Sequence, residues 1–471
     1  MKTDQVKANL DATWQLILRN LPEEQTQVLA SNDPALVKQR INKVIPVVNS
    51  SFTETLADFE KEILPFLNHN PSPKFGAYIT GSGNKVAAIA EFIKAYYNQN
   101  GLKWNNSPIA SELEQLVIEW ISTYCKVPDH HKGILTSGGS MSNLMAIHFA
   151  IASRFPEREL KGIKSLPNLT IYCSDQTHSS IDRALVFLGL GRNCLRKIPS
   201  NETFQIDMEN LKKTLEIDIA NGFLPFMLIG NAGTTNTGSI DPLEDLGKIS
   251  EYYQLWFHID GAYGLPAIQI PELRNQFNGI NKADSIIINP HKWMYVPFEA
   301  SAVLLREIPE AIHFSPDYLF TENPGERWES SSHTIELSKE FRALKIWFTM
   351  KYFGVEQLTS FVKWDIELTA YLAGLLDSIP FIKVEPTHPL SILCFKYHNP
   401  QLSFHENELV NITAIREIES QGKIFITGTK LRNEHYLRVY FGNPERTKKD
   451  VEYMVKVIKK TIENVRSSLS I

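Results

Sequence analysis

The sequence is poor in cysteine, with four in 471 residues. Cys125, Cys173, Cys194 and Cys394 form no CxxC pair and stand at no zinc-ligand spacing. That argues against a disulfide framework and against a cysteine-built metal centre. Reduced thiols in a cytoplasmic protein are the expectation. No apolar run approaches the roughly 18 residues that a membrane helix needs. Residues 1–9 are polar and mixed in charge, without the apolar stretch of a secretory leader behind them. Charge of one sign is not in excess either: 48 Lys and Arg against 53 Asp and Glu leave a net −5. The basic footprint of a nucleic-acid binder is therefore missing, as is an acidic tail. Internal repeats and low-complexity segments are absent. What remains, 43% hydrophobic and 21% charged residues, is an ordinary globular composition. The length suits about three domain-sized units.

The first seventy residues carry apolar side chains at three-to-four spacing, over 13–21 and 52–67, and predict helices. Pro71 and Pro73 then interrupt the pattern. Further on, short β-rich runs alternate with helical stretches. Strands are expected at 133–136, 169–174, 223–230, 255–260, 285–289 and 300–305. Helices are expected at 142–153, 181–188, 208–221 and 243–253. Nearly continuous apolar strands between helices predict an α/β domain whose mainly parallel sheet is covered on both faces. A helix over 338–353 closes it. The remainder, with helices at 357–378 and 449–468 and strands at 392–397 and 436–441, reads as a smaller α+β domain. The expected organisation is a helical segment 1–72, a large domain 73–353 and a small domain 354–471.

Open α/β sheets bind ligands at the carboxyl ends of their strands, and five of the expected strands end on polar groups. Thr136-Ser137-Gly138-Gly139-Ser140 leads into a helix, whose free N–H groups attract an anion. Alone it is also a plain βα turn with Ser140 as N-cap. His178 ends the next strand, where a lone histidine is as readily structural. Thr234, in Ala232-Gly233-Thr234-Thr235-Asn236, stands in a loop that glycine alone would explain. Asp260 follows a buried strand, which is costly for a carboxylate without a partner; the small Gly261 and Ala262 behind it leave room for a flat ligand. Lys292, in Asn289-Pro290-His291-Lys292-Trp293, follows an apolar strand and is placed to be desolvated and nucleophilic. Together the five ask for a ligand with an aldehyde, a phosphate, a protonated ring nitrogen and a flat ring. Pyridoxal 5′-phosphate (PLP) has all four, and a Schiff-base lysine with an aspartate at the pyridinium nitrogen is its recurring signature.

Ser137-Gly138-Gly139-Ser140, Asp175-Gln176-Thr177-His178-Ser179-Ser180, His258-Ile259-Asp260-Gly261-Ala262-Tyr263, Asn289-Pro290-His291-Lys292-Trp293 and Phe341-Arg342-Ala343-Leu344-Lys345 resemble the group II PLP-dependent amino-acid decarboxylases. The likeness runs from about Pro73 to Phe353 and continues more weakly, through Leu437-Arg438-Val439, to the C-terminus. It implies a fold type I α/β architecture with a mixed, mainly parallel sheet and a small α+β domain. It implies that Lys292 carries the cofactor, His178 stacks on its ring, Asp260 pairs with its nitrogen and Ala262 packs beneath. Gly139, Ser140, Asn289 and His291 would hold the phosphate, Thr234 would lie near the cofactor and Tyr78 would line the substrate pocket. A homodimer wrapped by N-terminal helices, with active sites at its interface, is implied as well. The expected reaction is decarboxylation of an amino acid, aromatic by the cues of Tyr78 and Trp104-Asn105-Asn106-Ser107-Pro108, with an acidic or diamino acid left open.

One stretch departs from the family. The loop before Phe341 carries a tyrosine in the aromatic decarboxylases that protonates Cα, and residues 321–334 here contain none. Ser330 falls near its place. His333 is an alternative acid, suited to proton transfer near neutral pH, or simply a loop residue. Without a good acid, an aldehyde is the alternative product; an aminotransferase or carbon–carbon lyase of the same fold is a further alternative. Thr80-Gly81-Ser82-Gly83-Asn84-Lys85 breaks P-loop spacing, Gly189-Leu190-Gly191 lacks a dinucleotide fingerprint, and both read as turns.

Overall fold

The computed structural model describes residues 3–21, 26–30, 33–41, 45–128, 131–309, 327–386 and 389–470. Among them, strands β1 (Phe75–Gly76), β2 (Lys132–Thr136), β3 (Leu169–Ser174), β4 (Leu195–Ile198), β5 (Leu224–Asn231), β6 (Trp256–Asp260), β7 (Ser285–Ile288), β8 (Ser301–Leu305), β9 (Ile382–Val384), β10 (Ile392–Tyr397), β11 (Phe425–Leu431) and β12 (Glu434–Tyr440) form two sheets. The larger runs β2-β8-β7-β6-β5-β3-β4. Its pairs are parallel from β4 to β7, and β8 alone runs the other way, antiparallel to both neighbours. β4 escapes the sequence pattern because Leu-Arg-Lys-Ile is a polar edge strand, covered on one side only.

Alternation along β6 shows how the sheet is used. Phe257 and Ile259 face one side and join Leu243, Leu246 and Ile249 in the core under helix Leu243–Tyr253. Trp256, His258 and Asp260 face the other side, toward helix Gly139–Arg154. That helix starts three residues earlier than its apolar pattern, with Gly138 rather than Ser140 at the N-cap. Both glycines are therefore spent on the turn that brings its N-terminus to the strand ends.

The second sheet runs β1-β11-β12-β10-β9. β1 pairs in parallel with Phe425 and Ile426, so a segment far ahead in the chain completes a C-terminal sheet. Leu368, Leu372 and Leu376 meet Val410, Ala414, Ile418, Met454 and Ile458 in its core. The helix expected from 338 begins at Ala343, because Glu340 is held in a bridge to Asn100. It continues to Asp377 across a break at Gly354, whose φ of 68° suits glycine. The N-terminal pattern at 13–21 belongs to a longer helix, Thr3–Arg19, while 52–67 becomes helix Phe52–Asp58 followed by tighter and wider turns. Among the described residues, no helix is long and apolar enough to cross a membrane.

Candidate active site

A cavity of about 570 Å³ opens where β5, β6 and β7 end and helix Gly139–Arg154 begins. That is the volume of a small-molecule site, at the strand ends where α/β sheets place one. Ser137, Gly139, Ser140, His178, Thr234, Asp260, Ala262, Asn289, His291 and Lys292 all line it. The five strand ends, scattered over 150 residues of sequence, are brought to one place.

At one end stands a cradle of donors. A Cβ on Gly139 would meet Asn289 Nδ2 at 2.7 Å, so only glycine allows this approach. Ser301 Oγ lies 2.6 Å from Asn289 Oδ1 and donates to it, which turns the Asn289 amide nitrogen toward Gly139. Ser142 and Thr136 continue the hydroxyl chain behind Ser301, each step 2.7 Å. His291 Nδ1 accepts from the Ala300 N–H at 3.1 Å, so its proton resides on Nε2, 3.5 Å from Asn289 Nδ2. Burial, reinforced by Lys292, pushes the His291 pKa down to about 3, and the ring is neutral. Two side-chain donors and a helix N-terminus thus converge on one spot, an arrangement made for an anion.

At the other end Asp260 is buried, with Asn143 Nδ2 at 3.1 Å from Oδ2 and the Ala262 N–H at 3.2 Å from Oδ1. His178 opens its ring to the cavity, and Nδ1 accepts from the Ser180 backbone at 3.2 Å. Its pKa is lowered, by burial first, although Asp260 opposes the shift. Lys292 stands between the two ends. Desolvation lowers its pKa against the pull of Asp260, so its neutral, nucleophilic amine is favoured. Thr234 is buried and bonded to Thr237 and Ser239 at 3.1 and 2.9 Å, which fixes the loop after β5.

Two expected residues stand apart in the single chain. Tyr78 is 58% exposed and packs edge-on against Phe425, while its neighbours Ile79 and Thr80 line the cavity. His333 stacks on Trp328 at 4.4 Å and is not among the lining residues. Ser330 is buried against Lys339. Residues 321–326 of the loop that lacks tyrosine lie outside the described residues. The sequence also concealed contributors. Gly81, taken for a plain turn, backs onto the Lys292 carbonyl, where a Cβ would come within 2.2 Å. Asn143, Asn231 and Glu299 line the cavity with no signal beyond their polarity, and Ser180 with none beyond its place in the run after His178. Only the pairing of Asn143 with a buried strand carboxylate betrays it.

Residues 34–398 match the model of the pyridoxal-dependent decarboxylase conserved domain. The chain belongs to the pyridoxal-dependent decarboxylase family. This decarboxylase is 30% identical, over 93% of its own length and 91% of the relative's, to the aromatic-L-amino-acid decarboxylase of Bacillus atrophaeus. Its fold superposes with a TM-score of 0.89 on Catharanthus roseus tryptophan decarboxylase in complex with L-tryptophan, at 25% identity, covering 98% of this chain and 99% of that one. An Oryza sativa TDC with PLP and tryptamine gives a TM-score of 0.93 at 22% identity, with 98% and 99% covered. The expected fold type I architecture and PLP-dependent carboxy-lyase activity are thereby borne out. The cavity of the decarboxylase fits PLP on its own evidence: an anion cradle that a Cβ would fill, a desolvated lysine, and a buried carboxylate at the far end.

Proposed function

We propose that this decarboxylase removes the α-carboxylate of an aromatic L-amino acid, releasing carbon dioxide and the amine, and that it works as a homodimer. One observation carries the reading. Lys292, Asp260, His178 and the anion cradle line a single cavity in a chain whose relatives are named for aromatic substrates.

When bound, PLP supplies an aldehyde for an amine and a ring that accepts electrons. The residues around it have separable tasks. Gly139, Ser140, the Asn289 amide and His291 Nε2–H would hold the phosphate. Lys292 would hold the cofactor through its amine. Asp260 keeps a proton at the ring nitrogen. His178 and Ala262 would pack against the ring. Tyr78 sits beside the lining residues Ile79 and Thr80, at the edge where a substrate side chain enters.

The homodimer is supported by apolar surface that one chain leaves uncovered. Leu10, Trp14, Ile17 and Leu18 recur at helical spacing and are exposed on helix Thr3–Arg19, which buries only Leu16. Ile89, Phe92, Tyr96 and Tyr97 are exposed on helix Lys85–Tyr97.

The deciding experiment incubates the PLP-loaded protein with a panel of amino acids and quantifies carbon dioxide, amine, aldehyde and peroxide. Carbon dioxide with stoichiometric amine from tryptophan, tyrosine, phenylalanine or their hydroxylated forms is the expected result, lost in Lys292→Ala. Turnover confined to acidic or diamino acids would overturn the aromatic reading. Aldehyde with peroxide would replace the amine product and point to the loop without tyrosine.

A further inference from the structure

Asp260 and His178, the two side chains placed at the ring of the cofactor, share one neighbour. Asn143 Nδ2 lies 3.1 Å from Asp260 Oδ2 and 2.9 Å from Ser180 Oγ. Ser180 Oγ in turn lies 2.9 Å from His178 Nδ1. Asn143 is almost fully buried, on the second turn of helix Gly139–Arg154.

Hydrogen-bond inventory fixes the direction of every bond. A carboxylate only accepts, so Asn143 must present its NH₂ to Asp260. Its carbonyl then faces His258, whose Nε2 is 2.9 Å away and must donate. Burial pushes the His258 pKa down to about 4, so the ring is neutral and Nδ1 carries a lone pair. Ser285 Oγ, 2.8 Å from that Nδ1, donates to it, while its oxygen accepts from Trp256 Nε1 at 2.8 Å. The other branch is as constrained. Ser180 Oγ accepts a hydrogen bond from Asn143 Nδ2, and its own hydroxyl proton is left for His178 Nδ1. The Ser180 backbone N–H is aimed at the same nitrogen. A nitrogen that accepts from two donors holds no proton, so neutral His178 carries its proton on Nε2.

The chain of donors therefore runs one way, from Trp256 through Ser285 and His258 to Asn143, and there it divides. Strand periodicity makes it possible: Trp256, His258 and Asp260 alternate onto one face of β6, and Ser285 is the direct partner of His258 across β7.

We infer that Asn143 is a positioning residue of this site, and that its amide aims the Asp260 carboxylate and fixes the Nε2–H tautomer of His178 at the same time. The inference rests on the PLP assignment only for its functional consequence. The tautomer itself is a property of the cofactor-free protein. Reversing either branch would break the other, because the amide cannot rotate without presenting its carbonyl to a carboxylate.

The test uses cofactor-free full-length protein with ring-nitrogen-labelled histidine, His178 being assigned by subtraction of a His178→Gln spectrum. Wild type should show His178 with a protonated Nε2 and an accepting Nδ1. Asn143→Leu removes both donated bonds at similar volume and should give His178 a mixture of tautomers. The same variant should weaken PLP binding about tenfold, measured by fluorescence quenching, the size of one lost hydrogen bond to a charged group. Ser180→Ala cuts only the branch to His178 and should shift the tautomer on its own; it carries the test if Asn143→Leu fails to fold. A protonated Nδ1 in wild type would overturn the inference. So would unchanged His178 signals in whichever of the two variants folds. If Lys292→Ala and wild type prove equally unable to bind PLP, the cofactor assignment fails while the tautomer result stands.

Discussion

His258 and His291 illustrate how a residue can be chosen for its neutral form. Each is held as a hydrogen-bonding imidazole, and burial keeps their pKa values at about 4 and about 3. His148 is pushed to about 4 by burial and then by Arg158. In the unfolded chain each titrates near 6.5. As pH falls through that value the unfolded state takes up protons that the folded state refuses, so stability is intact above about 6.5 and is lost toward 4. The slope is at most about 1.4 kcal/mol per pH unit for each histidine. Asp241, buried and raised to about 6, has the opposite sign and offsets part of this below that pH, and burial raises Asp284 and Asp365 in the same direction. Urea denaturation of the cofactor-free protein at pH 7, 6 and 5 should show a steady loss. A midpoint that holds constant over this range would contradict the neutral assignments. At this scale the sequence was readable where chemistry is conspicuous, as with a lysine on the turn after three consecutive isoleucines. It was silent at Asn143 and Ser142, ordinary polar residues in mid-helix until the fold sets them against Asp260 and Ser301.

The turn that bears Lys292 is braced by another element. Asp365, fully buried in the second half of the long helix Ala343–Asp377, accepts from Trp293 Nε1 at 3.0 Å, Tyr295 Oη at 2.7 Å and the Asn443 N–H at 3.3 Å. Arg446, equally buried, acts on it electrostatically and donates to the carbonyls of Pro73 and Phe75 at 2.6 and 2.7 Å. One carboxylate thus joins the lysine turn, the long helix and the segment leading to β1. Asp365→Ala would strand three buried donors, at a cost of roughly 3 kcal/mol or more. Asp365→Asn, which keeps one acceptor, should lose less. Chemical denaturation of the two variants checks this, and wild-type stability in Asp365→Ala would remove the brace. Nothing local announces it, since an aspartate within an amphipathic helix looks solvated. The boundaries of elements behave alike: Ala343 starts the helix late because Glu340 bridges Asn100, a residue far earlier in the chain.

At the scale of the molecule, the proposed homodimer says where a second copy should sit. Trp14 is 53% exposed on a helix whose apolar stripe meets little of its own chain. If a second copy covers that stripe, sedimentation should give twice 53.6 kDa. Replacing Trp14 and Leu18 together by Glu should shift the protein toward monomer and lower PLP-dependent turnover. A monomeric wild type would sink the homodimer and leave Tyr78 without a partner to enclose it.

The sequence by itself determined the kind of chemistry. Strand ends bearing Lys292, Asp260, His178 and the Gly138-Gly139 turn each solve a local problem of backbone or charge, and those problems are visible in short stretches. It determined the alternation of strand and helix for the same reason, because periodicity is local. Tertiary structure decided the rest. It reversed β8, joined β1 to a sheet 350 residues away, put Gly81 against Lys292, and set the direction of every hydrogen bond behind Asp260. These depend on which surfaces meet across the fold, and no window of sequence contains both sides of such a contact.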